Sequence, residues 1–129
     1  MNELYNTVTS NGNYNNIPTT LTSNTSIVNM VEGLSILKEA NKKNWSDGNL
    51  MYNITLNNEA ELAYTNVVVT DIIDNTLVDF VSDSVTINSV KAESKAYSYN
   101  NDTHTLTVNI GDIEPSNTSI ITFDVKKKI

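Results

Sequence analysis

Cysteine is missing from all 129 residues, and so is arginine. Without cysteine there is no disulfide framework, no thiolate nucleophile and no thiol metal site. That composition fits a cytosolic protein, or a surface protein stabilised by other means. The eight basic residues are all lysine and stand against fifteen acidic ones, for a net charge of −7. An acidic chain without a basic cluster is a poor binder of nucleic acid or anionic membrane. Its one basic run, Lys126-Lys127-Lys128, reads as a solvated strand end. With only four glycines there is no phosphate-cradling loop, and no cofactor is expected. No stretch approaches the roughly 20 apolar residues of a membrane span. Met1-Asn2-Glu3 opens no signal peptide, so export would rely on a signal outside this segment. No segment carries a convincing 3.6-residue period.

The chain does have alternation. Leu50, Tyr52, Ile54 and Leu56 alternate with Met51, Asn53, Thr55 and Asn57, the two-residue period of a half-buried strand. Asn57-Asn58-Glu59 punctuates, and Thr65-Asn66-Val67-Val68-Val69-Thr70 follows as a β-branched strand. Asp74-Asn75 breaks again before Val78, Phe80 and Val85. Upstream, Glu3–Ser10, Asn24–Val31 and Leu34–Lys38 read as short strands. Between the first two lies Asn11–Ser23, rich in Gly, Pro and Asn and unfit for a central strand. Asn41–Gly48 is a loop whose Trp45 reads as a lid over the core end rather than a ligand platform. Downstream of the weak segment SVKAESK, Tyr97 and Tyr99 begin a hairpin. It turns through Asn100–His104 and returns on Leu106, Val108 and Ile110. Gly111-Asp112, with Pro115 beyond, marks another turn. Ile121, Phe123 and Val125 form the last strand. Eight or nine short strands with regular turns predict an all-β, antiparallel β-sandwich of immunoglobulin-like type.

The run Tyr52-Asn53-Ile54-Thr55, Asn57, Thr65–Asp71, Leu77 and Phe80-Val81 resembles a bacterial cell-surface repeat, the family catalogued as domain of unknown function eleven. That family is related to the isopeptide-forming domains of Gram-positive adhesins. Leu106–Ile113, Pro115 and Ile120–Phe123 look like the second half of the same repeat, so the likeness covers Leu34 to Val125. The family's usual Pro after the strand ending in Asp71 is missing, which affects only the turn. Leu4–Val8 and Ser23-Asn24-Thr25 look like the closing strands of a preceding repeat. The expected organisation is therefore residues 1–31 as closing strands or a strand-complementing segment, and 32–129 as the repeat domain. The resemblance implies export, a place at the cell surface or cell wall of a bacterium, neighbouring repeats of the same protein as partners, and a stalk or spacer role in an adhesin. It implies no catalysis.

An intramolecular isopeptide bond needs a Lys, an Asn or Asp, and a nearby carboxyl in an apolar interior. Burial favours both the neutral amine and the protonated acid. Lys38 is in step with Leu34 and Ile36, Asp71 with Val67 and Val69, and Asn6 with Leu4 and Val8. All three face inward if their strands are regular. Lys38 and Asp71 match the adhesin pattern by position. Asn6 matches only as the preceding repeat's equivalent. The plainer alternative has Lys38 snorkelling to solvent and Asp71 capping a turn. Residues 3–9 could also fill an open sheet edge, within one chain or by strand exchange between chains.

No metal site is expected. Asp71, Asp74, Asp79 and Asp83 cluster in sequence, and Asp102 and Asp112 sit in turns, but without the spacing of a calcium loop. His104 is alone, and Ser82 and Ser84 lack a nucleophile-elbow setting. The leading expectation is a structural repeat. One alternative is a module binding glycan or protein through rim aromatics such as Trp45, Tyr14 and Tyr64. Another is an accessory domain of a secreted enzyme.

Overall fold

A computed structural model describes residues 2–128. Among them the regular structure is thirteen strands without a helix, and every pairing is antiparallel. The chain divides into two units, the first ending at Glu32 and the second beginning at Gly33. We call them the arm and the body.

The arm is a two-stranded ribbon. Its stem pairs β1 (Asn2–Asn6) with β4 (Ser26–Met30), and its tip pairs β2 (Thr9–Tyr14) with β3 (Ile17–Thr22). Asn15 and Asn16 both have positive φ, at 51° and 63°, the geometry of a two-residue hairpin turn whose twist matches the strands. Stem and tip are out of register by one residue: Thr7-Val8 on one side faces Ser23-Asn24-Thr25 on the other. This is a bulge, closed by a 2.9 Å hydrogen bond from the Ser23 N–H to the Val8 carbonyl. The Asn11–Ser23 stretch thus forms no central strand, in keeping with its composition, although most of it is paired in β2 and β3. A ribbon has no central strand, so Pro18 needs only one hydrogen-bonded side and is tolerated.

The body has two sheets. The first runs β10 (Val90–Lys91), β9 (Thr86–Ile87), β13 (Asn117–Lys127), β6 (Asn49–Asn58), β5 (Leu34–Ala40), with β8 (Val78–Phe80) also on β13. The second runs β11 (Tyr97–Asn100), β12 (Thr105–Ile113), β7 (Tyr64–Ile72). Their facing sides share one apolar cluster, an arrangement consistent with a β-sandwich. The alternation read from the sequence supplies it. Leu50, Ile54 and Leu56 come from β6, Val67 and Val69 from β7, Leu106 and Val108 from β12, and Ile121, Phe123 and Val125 from β13. Phe80 bridges the aromatic end of this core, stacked on Tyr99 at 4.7 Å and tilted against Phe123 at 6.3 Å. Trp45 packs against the same cluster, as a lid would.

Gly111 departs from expectation. It is not in a turn but inside β12, with φ at 78°, where the register against β7 shifts between Asn109 and Gly111. The bulge re-phases the strand, so Ile113 beyond it is buried although Leu106 and Val108 set the opposite parity. The reversal into β13 falls instead at Glu114–Ser116, where Ser116 has φ 65°.

Candidate functional site: the Lys38–Asp71 bridge

β5 pairs with β6 so that Lys38 stands opposite Ile54, on the core-facing side. β7 pairs with β12 so that Asp71 stands opposite Leu106, which is fully buried. The two side chains meet across the layers, Lys38 Nζ to Asp71 Oδ2, at 2.7 Å. Asp71 keeps 10% of its side-chain exposure and Lys38 44%. The ammonium also lies 4.5 Å from the centre of the Tyr52 ring, so ring quadrupole and carboxylate both hold it. Tyr52 is itself tied to the core, 5.5 Å from Phe123. Removing the lysine would leave a carboxylate with little access to water, a costlier outcome than losing an exposed ion pair.

Of the three residues the sequence singles out, this arrangement brings together two. Asn6 lies in the arm, on β1 opposite Ser26, and is exposed. Among the described residues the arm has no buried face of its own, so being in step with Leu4 and Val8 does not make Asn6 an interior residue. Lys38 and Asp71 present an amine and an acid in ion-pair geometry, with an aromatic ring as the third wall.

Four other aspartates have partners. Asp74 Oδ1 accepts hydrogen bonds from the Thr76 hydroxyl at 2.6 Å and from its N–H at 3.0 Å, which hold its carboxyl below the usual value of 3.8. Asp79 faces Lys128 at 3.6 Å. Asp83 accepts from the Tyr97 hydroxyl at 3.3 Å, and Asp112 accepts from the Asn66 N–H at 2.9 Å. Among the described residues, no group of three or more His, Asp or Glu is placed to hold a metal ion. His104 has φ 56° and gives its carbonyl to the Ile73 N–H at 2.9 Å. The Ser84 hydroxyl donates to the Val81 carbonyl and accepts from the Asp124 N–H. Of the three candidate rim aromatics, Trp45 is packed on the core, Tyr64 is in β7, and Tyr14 is in the arm.

The residue that sequence reasoning misses is Asn58. It is wholly buried, and its side chain makes three hydrogen bonds. Nδ2 donates to the carbonyls of Ile113 at 2.8 Å and Leu62 at 3.0 Å, while Oδ1 accepts from the Ala60 N–H at 2.9 Å. It ties the β6–β7 loop to the end of β12. The sequence does carry a signal for it. Asn58 continues the inward phase of Ile54 and Leu56, and a polar residue on a buried phase must find partners. Gly33 completes this corner. With φ 85°, it lies so close to the loop that a Cβ there would sit 2.7 Å from the Ala60 nitrogen.

No family model matches this chain, and neither does any curated protein or solved structure.

Proposed function

We propose that the body is an immunoglobulin-like sandwich serving as a structural spacer, one repeat of a bacterial cell-surface or secreted protein of adhesin or stalk type, without catalysis of its own. The observation that carries this reading is where the body's first and last strands lie. β5 and β13 flank β6 in the same sheet, and both run antiparallel to it. The chain enters at Leu34, opposite Asn58, and β13 runs out at the other end, where Lys126 pairs with Asn49. Entry and exit are thus separated by the length of β6, about 30 Å for a ten-residue strand at roughly 3.3 Å per residue. Tension applied through the two ends loads the β5–β6 and β6–β13 ladders in shear, so many hydrogen bonds must fail together rather than one at a time. Lys38–Asp71 adds a tie between the layers beside the loaded strand.

This reading is tested by pulling single molecules through handles placed before Leu34 and after Lys127. Unfolding should occur in one step, at a force well above that for handles placed on the neighbouring strands β11 and β12, which peel a hairpin. Equal forces for the two geometries, or turnover of a substrate by the purified chain, would overturn it. The cross-link that the family resemblance implies is tested by intact mass. A Lys38–Asp71 amide would release one water and a Lys–Asn amide one ammonia. The ion pair argued above corresponds to the unshifted mass.

A further inference from the structure

β7 is hydrogen-bonded along one side only. β12 takes that side, and no strand among the described residues takes the other. Natural sheets blunt such an edge with Lys, Pro or an inward charge. β7 contains neither Lys nor Pro, and its one inward charge, Asp71, is paired with Lys38; its outward-facing Val68 and Ile72 are 53% and 76% exposed. The layer opposite shows the same gap from the other side. The Lys38–Asp71 contact places β5 across from β7. Ile36 stands on the core-facing side of β5, opposite buried Leu56, yet it is 64% exposed. The second sheet is one strand too narrow to cover it.

The arm is the complement of this gap. Its strands have a single partner each among the described residues, and a lone two-stranded ribbon is at best marginal in water. Leu4 and Val28 are directly cross-paired, so they share one face of the stem, where both are exposed. Between Asn2 and Met30 the only charged residue is Glu3, so the arm approaches an acidic body with little like-charge repulsion.

We propose that the arm of one copy adds to the free edge of β7 in a second copy. Its stem extends the second sheet by strand addition and lays the Leu4–Val28 face over Ile36. Reciprocal exchange places two such junctions in one dimer, the closed arrangement. It also brings the buried area toward the roughly 1,200 Å² that a specific interface needs. The inference is independent of the spacer reading, which rests on β5 and β13 and survives its failure.

Sedimentation velocity over a range of concentrations should show assemblies larger than the monomer. Val68→Lys with Ile72→Lys, both at exposed outward positions, should weaken association by about tenfold or more without changing the body's melting. The cysteine-free sequence allows a second measurement. Leu4→Cys chains mixed with Ile36→Cys chains and treated with a short bismaleimide should give a cross-linked pair in far higher yield than Leu4→Cys mixed with Leu62→Cys. A monomer at every concentration would overturn the proposal. So would equal yields in the two mixtures, or a chain carrying both Leu4→Cys and Ile36→Cys that cross-links only within itself.

Discussion

Leu21 and Leu106 each sit between two threonines, in Thr20-Leu21-Thr22 of β3 and Thr105-Leu106-Thr107 of β12. Leu106 is 1% exposed and Leu21 66%. The local sequence is the same, the backbone is extended in both, and the difference lies in the second layer. Leu106 faces a sheet across the interior, whereas the arm is a ribbon with nothing stacked on it among its own described residues. Alternation therefore encodes a strand and which side is apolar, but burial requires a partner surface that alternation does not name. The most direct attempt to break this comparison is a pair of substitutions. Leu106→Ala should cost about 3 kcal/mol through lost transfer energy and a cavity, while Leu21→Ala should stay within about 0.5 kcal/mol. Urea unfolding of the two variants checks this. A large effect at Leu21 would mean that the arm is packed in solution, the condition that strand addition to a second copy would create.

The loop corner at Asn58 sharpens the contrast, because the arm has no buried polar residue among those described. Asn58→Ala strands three groups, the Ile113 and Leu62 carbonyls and the Ala60 N–H, of which the first is in the buried interior. A loss of about 2–3 kcal/mol is expected, since an unmade hydrogen bond in the interior is worth more than the net gain from making it. Gly33→Ala acts on the same corner through the backbone. Its positive φ and the 2.7 Å approach to the Ala60 nitrogen leave no room for a Cβ, so strain of about 1–3 kcal/mol should follow. Gly12, in the arm, has open space around its Cβ position, and Gly12→Ala should be close to neutral. Parallel thermal melts of the two glycine variants decide the matter.

Much of the body is legible in the sequence. The inward sets of β6 and β13, and of β12 up to its bulge, follow from period-two alternation alone, because those strands are central or near-central and one face of each is covered. The fold departs from the expectation in two places. The Gly and Pro of Asn11–Ser23 argue against a strand, but that rule governs central strands and has no force in a ribbon. Gly111-Asp112 reads as a turn in sequence, yet in the fold the same glycine conformation makes a bulge and the strand continues. For the candidate site, phase places Lys38 and Asp71 on core-facing sides. It does not say that β5 lies over β7, since that depends on sheet order and so on contacts far apart in sequence. Asn6 fails for the reason Leu21 is exposed: phase is not burial.

Lys38 and Asp74 rank the body's two kinds of polar device. Lys38→Met keeps the aliphatic stem over Tyr52 but leaves Asp71 unpaired at low exposure, and a loss of about 1–2 kcal/mol is expected. Changing both residues, Lys38→Met with Asp71→Leu, should recover most of that loss, which separates an unpaired carboxylate from lost packing. If Lys38→Met alone is neutral, the pair behaves as an exposed one and the bridge contributes nothing.

The smallest effect belongs to Asp74, whose carboxyl is held below its ordinary value of 3.8 by the Thr76 hydroxyl and N–H. The folded state therefore prefers the charged form more than the unfolded state does. Its contribution is present above pH 3.8 and is lost as pH falls through the lower folded value. Asp74→Asn keeps an oxygen that can accept from Thr76, so only the charge-dependent part disappears. The difference in melting temperature between the original chain and Asp74→Asn should be small and constant at neutral pH, and should vanish at the acid end. Lys38→Met should show its larger deficit already at neutral pH, because it removes the partner of Asp71 outright. If the Asp74→Asn difference instead grew as pH fell, the turn would be stabilised by the protonated acid, the reverse of what the Thr76 hydrogen bonds require.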